Sequence, residues 1–262
     1  DPRVSHALTL RVDPSGNLLP SAAIAYGRRS RDPSLSAADQ PNQTALQSTY
    51  TDTSYTNAVL ADDAYRAPLP AGASSYEFLQ LPPSNAPPGI TPLLEFATLA
   101  GAIEAAADGA HDIAFEALHP PGLQAGQTYR RLIARTRTLY RPDDLGAASS
   151  DANALLPPGM LQALALPGIQ YQLVFTPGLV SQVYQRSGSA LLPVPADVLG
   201  SVGADGGAYV DLDGDGHWWQ PSGRGFFSPA ATAPPAEKAD AQDHFYVPRR
   251  SVDPYGNAAT VD

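Results

Sequence analysis

Twenty-seven prolines and 22 glycines punctuate these 262 residues. That density is well above the background of about 12% for the two residues together. It forbids long uninterrupted helices, because proline lacks an amide proton and clashes with the preceding turn. The 12 Tyr, 7 Phe and 2 Trp fall in the same regions, so aromatic stretches alternate with specified turns. This is the pattern of many short strands. With 43% hydrophobic residues there is enough apolar surface for a core. The expected class is mainly β with a few short α-helices, the strands arranged as antiparallel hairpins.

The clearest hairpin spans residues 7–27. Ala7-Leu8-Thr9-Leu10-Arg11-Val12 alternates at period two, Asp13-Pro14-Ser15-Gly16-Asn17 supplies a turn, and an apolar run continues through Tyr26. Pro14 presets its φ and Gly16 takes the left-handed position. The same chemistry returns at Val252-Asp253-Pro254-Tyr255-Gly256-Asn257, read either as turn chemistry used twice or as a hairpin unit repeated in a larger β array. Residues 31–48 read as a polar loop or short helix. Thr49–Ala58, Ser74–Leu81 and Tyr129–Tyr140 read as strands, the last alternating Arg with apolar residues. Ala64–Pro70 ends in a stiff connection, and Pro82–Pro92 is a break.

Leu93–Asp108 is the longest expected helix, with Thr91 as N-cap, Gly109 as C-cap and a Leu94, Ala97, Ile103 side facing a sheet. Shorter helices are expected at Gly159–Leu166, Leu179–Gln185 and Glu237–His244. Further strands are expected at Gln170–Phe175, Gly207–Val210, His217–Gln220 and Phe245–Arg249. The chain begins at Asp1 and stops at Asp262, so it reads as one segment, 1–262, of a longer polypeptide. Within it, 1–90 holds hairpins and loops, 91–110 the helix, and 111–262 strands with short helices.

The net charge of −10 argues against nucleic-acid binding, which needs phosphate-neutralising cations. No run approaches the roughly 20 apolar residues of a membrane span. The absence of cysteine excludes disulfides, thiolate metal sites and a cysteine nucleophile. The five His carry no metal-ligand spacing, there is no Gly-x-Ser-x-Gly elbow, and Glu116 lacks a Glu-x-Glu partner. His111-Asp112 is read as a chance neighbouring pair. No catalytic residue is assigned, and no cofactor beyond a candidate calcium. That candidate is Asp211, Asp213 and Asp215 in Asp-Leu-Asp-Gly-Asp-Gly, with oxygens at alternate positions. An EF-hand would need Glu at the twelfth position, where Ser222 stands; the plainer reading is an acidic hairpin turn between Tyr209 and Trp218. Trp218 and Trp219, adjacent on a strand, face opposite ways. Arg130, Arg131, Arg135, Arg137 and Arg141 read as exposed salt-bridge partners.

Several stretches together resemble the B components of bacterial Tc insecticidal toxin complexes. They are Thr136 to Leu145, Leu164 to Gly168, Leu173 to Leu179, Gly207 to Arg224 with its Trp-Trp-x-Pro-Ser-Gly-Arg box, His244 to Arg250, and Asp253 to Asn257. Val4 to Leu8 and Asp63 to Arg66 add to the likeness. The region resembled is the middle, carboxyl-side segment that follows the propeller and leads into RHS (YD-repeat) strands. The resemblance implies a non-catalytic part of a secreted, hollow β-strand shell. The C subunit completes this shell around a cytotoxic cargo. Its partners are then the remainder of its own chain, the C subunit and the enclosed toxin, and the alternative reading of Arg130, Arg131, Arg135, Arg137 and Arg141 has their side chains facing that cargo. The A subunit is reached only through parts that have no match here. The rival reading is a calcium- or glycan-binding β module of a secreted virulence protein, built on the Asp turn and the Trp pair.

Overall fold

The computed structural model describes residues 3–81, 93–107, 109–118, 120–124, 126–202 and 206–261. The first half of the chain holds β1 (Ser5–Thr9), β2 (Pro20–Ala25), α1 (Gln40–Thr44), β3 (Gln47–Tyr55), β4 (Val59–Ala61), β5 (Ala64–Arg66) and β6 (Pro70–Leu79). Next come α2 (Phe96–Ala106), β7 (Asp112–Ile113), β8 (Tyr129–Tyr140), β9 (Pro167–Phe175) and α3 (Pro177–Val183). The remainder holds β10 (Gln185–Arg186), β11 (Ser189–Ala190), α4 (Pro195–Leu199), β12 (Val210–Asp211) and β13 (Trp218–Pro221), then β14 (Arg224–Phe226), α5 (Pro234–Asp243), β15 (Arg250–Val252) and β16 (Ala258–Thr260). The fold is mainly β, mostly antiparallel, with five short helices among the described residues. Four of the five helices carry proline at their first or second position. There its missing amide costs nothing and its fixed φ suits the helix, so the proline-rich composition starts helices as well as ending strands.

The largest sheet runs β1-β2-β3-β6-β8-β9-β13-β12, with β7 parallel to β8. Contacts divide the chain into two compact units, 1–53 with 74–134, and 54–73 with 135–262. In the first unit β1 and β2 pair from Ser5↔Ala25 to Thr9↔Ser21. Ala22 and Ile24 of β2, Tyr50 of β3 and Phe78 of β6 point to one side and are buried there with Leu99, Ile103 and Ala106 of α2. Those three helix positions are spaced to share one helix face.

Helix α2 departs from the sequence reading at its start. It begins at Phe96, and Ala97 is exposed, because Leu94 is drawn off before the helix begins: its side chain is buried and its amide donates to the Tyr26 hydroxyl at 2.9 Å. Thr91, Asp108 and the Pro82–Pro92 break lie outside the described residues. Gly109 takes positive φ after the helix, as expected.

In the second unit, Leu145, Leu166, Phe227 and Ala241 form one core and Val180, Leu199 and Trp218 another. Three expectations fail here for local reasons. Gly159–Leu166 is a run of turns, because Asn57 takes the amide of Leu161 and Asp143 that of Leu164, donors that a helix would need for itself. Phe245–Arg249 is no strand: Phe245 and Tyr246 have positive φ and the Tyr246 amide returns to Ala241 O at 2.7 Å, closing the end of α5. Gly207, Ala208 and Tyr209 donate to Val198, Ser201 and Leu199 around the end of α4, so β12 begins only at Val210.

Candidate functional site

The acidic turn places Asp211, Asp213 and Asp215 together but aims them apart. Asp211 faces inward: Oδ1 accepts the amides of Gly214 and Asp215, and Oδ2 that of Gly216. Gly214 and Gly216 supply the positive φ that this tight loop needs. Asp213 accepts Arg137 Nη1 at 2.7 Å, while the Arg137 guanidinium lies 4.6 Å from the centre of the Trp219 ring. Asp215 accepts the His217 amide and sits 2.9 Å from Nδ1 of the same ring. Among the described residues no three His, Asp or Glu side chains form a group suited to hold a metal ion.

Both tryptophans are buried, Trp218 at 7% and Trp219 at 1% exposure. Their pairing with β9 shifts register between them, Trp218 opposite Phe175 and Trp219 opposite Leu173. Trp218 fills the core with Val180 and Leu199, and Trp219 lies under Arg137. An open groove of about 390 Å³ beside Trp218 is lined by Val180, Tyr184, Leu192 and prolines. Another, about 490 Å³, lies over the first unit's sheet, where Ala7, Ala23, Ala25 and Thr49 leave the surface low.

The arginines of β8 are tied individually. Arg130 pairs with Asp112 and lies 4.5 Å over Tyr76; the pairing and the Asp112 charge raise its pKa against the opposing effect of burial. Arg131 bonds Glu77 at 2.7 Å. Asp112 is thereby occupied, and His111 stacks edge-on against Tyr129. Arg141 corrects the expectation of an exposed partner. Its side chain is wholly buried, and Nη1 and Nη2 both reach Glu237 at 2.9 Å. It also donates to the carbonyls of Gly225, Leu145 and Ala152, while Glu237 accepts the Phe227 amide. Sequence reasoning missed this centre because 96 positions separate its partners. The available signal was Glu237 behind Pro234-Pro235, a carboxylate in the first turn of a helix. No helix among the described residues is long and apolar enough to cross a membrane.

Residues 1–67 match the family described as Insecticide toxin TcdB middle/C-terminal region. The fold is similar to that in crystal structures of TcdB2-TccC3, with a TM-score of 0.54 at 16% identity over 97% of this chain. The structures of TcdB2-TccC3-Cdc42 and TcdB2-TccC3-TEV give 0.52 and 0.53, at 16% and 15% identity over 97% and 99% of the chain. This chain spans about a tenth of the length of those chains, 10% or 11%. No curated protein matches it. The opening 67 residues thus match the sequence pattern of the TcdB middle/C-terminal region and 97% of the chain has a fold similar to part of TcdB2-TccC3, which bears out the resemblance to a TcdB-type B component of Tc toxins.

Proposed function

We propose that this chain is a non-catalytic section of the B component of a Tc toxin complex, working outside the producing cell as part of a β-strand shell. With a C component that shell encloses a cytotoxic cargo. The observation that carries the reading is the fold likeness along 97% of the chain to structures that pair TcdB2 with TccC3, together with the family match at residues 1–67. The side chains support it. Four carboxylates are held by arginines: Asp112 by Arg130, Glu77 by Arg131, Asp213 by Arg137 and Glu237 by Arg141. General acid–base catalysis needs such groups free to meet a substrate. The partners under this reading are the remainder of the parent chain, the C component and the cargo; the A component would be reached through other parts.

The test is to express the parent B component with its C component and digest the purified complex with protease. The cargo should survive digestion in the wild type, and Trp218→Ala should lower complex yield or leave the cargo cleavable. Substrate turnover by the chain alone, abolished by mutating His111 or Asp112, would contradict the proposal.

A further inference from the structure

Two guanidinium groups lie over one aromatic ring in the second unit, and a third arginine shares that ring's face of the strand. Arg224 and Phe226 alternate on β14 and so share a face, and Arg250 stands opposite Phe226 across the β14–β15 ladder. The Arg250 guanidinium carbon lies 4.1 Å from the centre of the Phe226 ring, and that of Arg141 5.4 Å from it. Burial first, and the positive charge of Arg141 second, push the pKa of Arg224 below its ordinary value.

Among the described residues the carboxylate bonded to this group is that of Glu237, and Arg141 takes both of its oxygens. Arg224, only 7% exposed, donates to a neutral acceptor, Asn153 Oδ1, at 2.7 Å. The Nε of Arg141, of Arg224 and of Arg250 are each shielded from solvent, and none has a hydrogen-bond acceptor among the described residues. Buried charges are ordinarily paired and buried donors ordinarily satisfied. Among the described residues these three cations share one contacting anion, and three donors are left over.

We propose that Arg224 and Arg250, over a floor formed by Arg141, are a binding site for a carboxylate presented by an acidic peptide segment. The guanidinium fork matches a planar carboxylate in two-pronged geometry, and the cluster's one resident anion, Glu237, is already held that way. Arg250 is partly exposed and marks the side of approach. All three arginines belong to this chain and the site does not depend on the shell reading, since an acidic segment from any source meets the same chemistry.

The test titrates the 262-residue chain with acetyl-triglutamate amide and, separately, with inorganic phosphate, by calorimetry and thermal melting at matched ionic strength. The peptide should bind and raise the Tm. Arg250→Gln should weaken it about tenfold or more, the scale of a lost charge-assisted hydrogen bond, with an unchanged circular dichroism spectrum. Arg186→Gln, on exposed β10, should leave the affinity as it was. If Arg224→Gln fails to fold, Arg250→Gln alone decides. Absence of peptide binding beyond the salt control, full binding by Arg250→Gln, or tighter binding of phosphate than of the peptide would each overturn the assignment.

Discussion

Asp13 and Asp253 perform the same task near opposite ends of the chain. Each carboxylate accepts two backbone amides through Oδ1, and its Oδ2 accepts the side-chain amide of the asparagine four residues on, Asn17 or Asn257. That side-chain bond is the main reason both acids hold their pKa below the ordinary 3.8. A depressed carboxylate stabilises the fold above its unfolded pKa, and the contribution is lost as pH falls through the lower, folded value. A carboxylate-resolved NMR titration should therefore find both groups titrating below 3.8, and Asn17→Ala should move Asp13 upward while leaving Asp253 alone. Gly16 and Gly256 stand at φ of 84° and 89°, as the Asp-Pro-x-Gly-Asn pattern implied. A Cβ at either would meet nothing within 4 Å, so a substitution there is felt through the backbone alone. Gly16→Val should cost about 1–3 kcal/mol in urea unfolding, and Gly16→Asn, which tolerates the left-handed region, distinctly less.

At the scale of elements, legibility followed the reach of the forces involved. Tyr129–Tyr140 was readable to the residue, since period-two alternation is a local signal and the strand has those bounds. The Phe245–Arg249 segment was misread because its aromatic β-propensity is overridden by the end of α5. The Gly159–Leu166 helix was lost to Asn57, about a hundred positions away, and no local pattern carries that information. The helix α2 was visible, but its inward face is Leu99, Ile103 and Ala106, fixed by contact with the sheet. Ala100→Pro should cost about 3 kcal/mol or more by breaking it midway, and Leu99→Ala about 2–5 kcal/mol through the cavity left behind; equilibrium denaturation measures both. The Arg141–Glu237 centre ties the loop after β8 to α5. Glu237→Gln should destabilise by about 3 kcal/mol or more because it strands a buried charge, whereas Arg141→Met with Glu237→Leu should cost less than either single change. A double-mutant cycle in urea distinguishes that pattern from simple additivity.

For the molecule as a whole, the resemblance read from short boxes such as Trp218 to Arg224 and His244 to Arg250 agrees with a fold likeness along 97% of the chain at 16% identity. The residues of these boxes do structural work in this chain. Both tryptophans are core, Arg224 is buried against Asn153, and the stretch from His244 turns the chain from α5 into β15. What the sequence hid is how its charges are used: of the arginines expected at the surface, Arg141 is the interior anchor of the second unit. An account in which polar groups hold a wall together, and do not act on substrates, is tested most directly by a cryo-electron microscopy structure of the parent B component bound to its C component. These 262 residues should appear as a continuous part of the wall around the cargo, with the Arg141–Glu237 pair intact. Finding them projecting from the shell as a separate module, with the wall closed without them, would contradict the account.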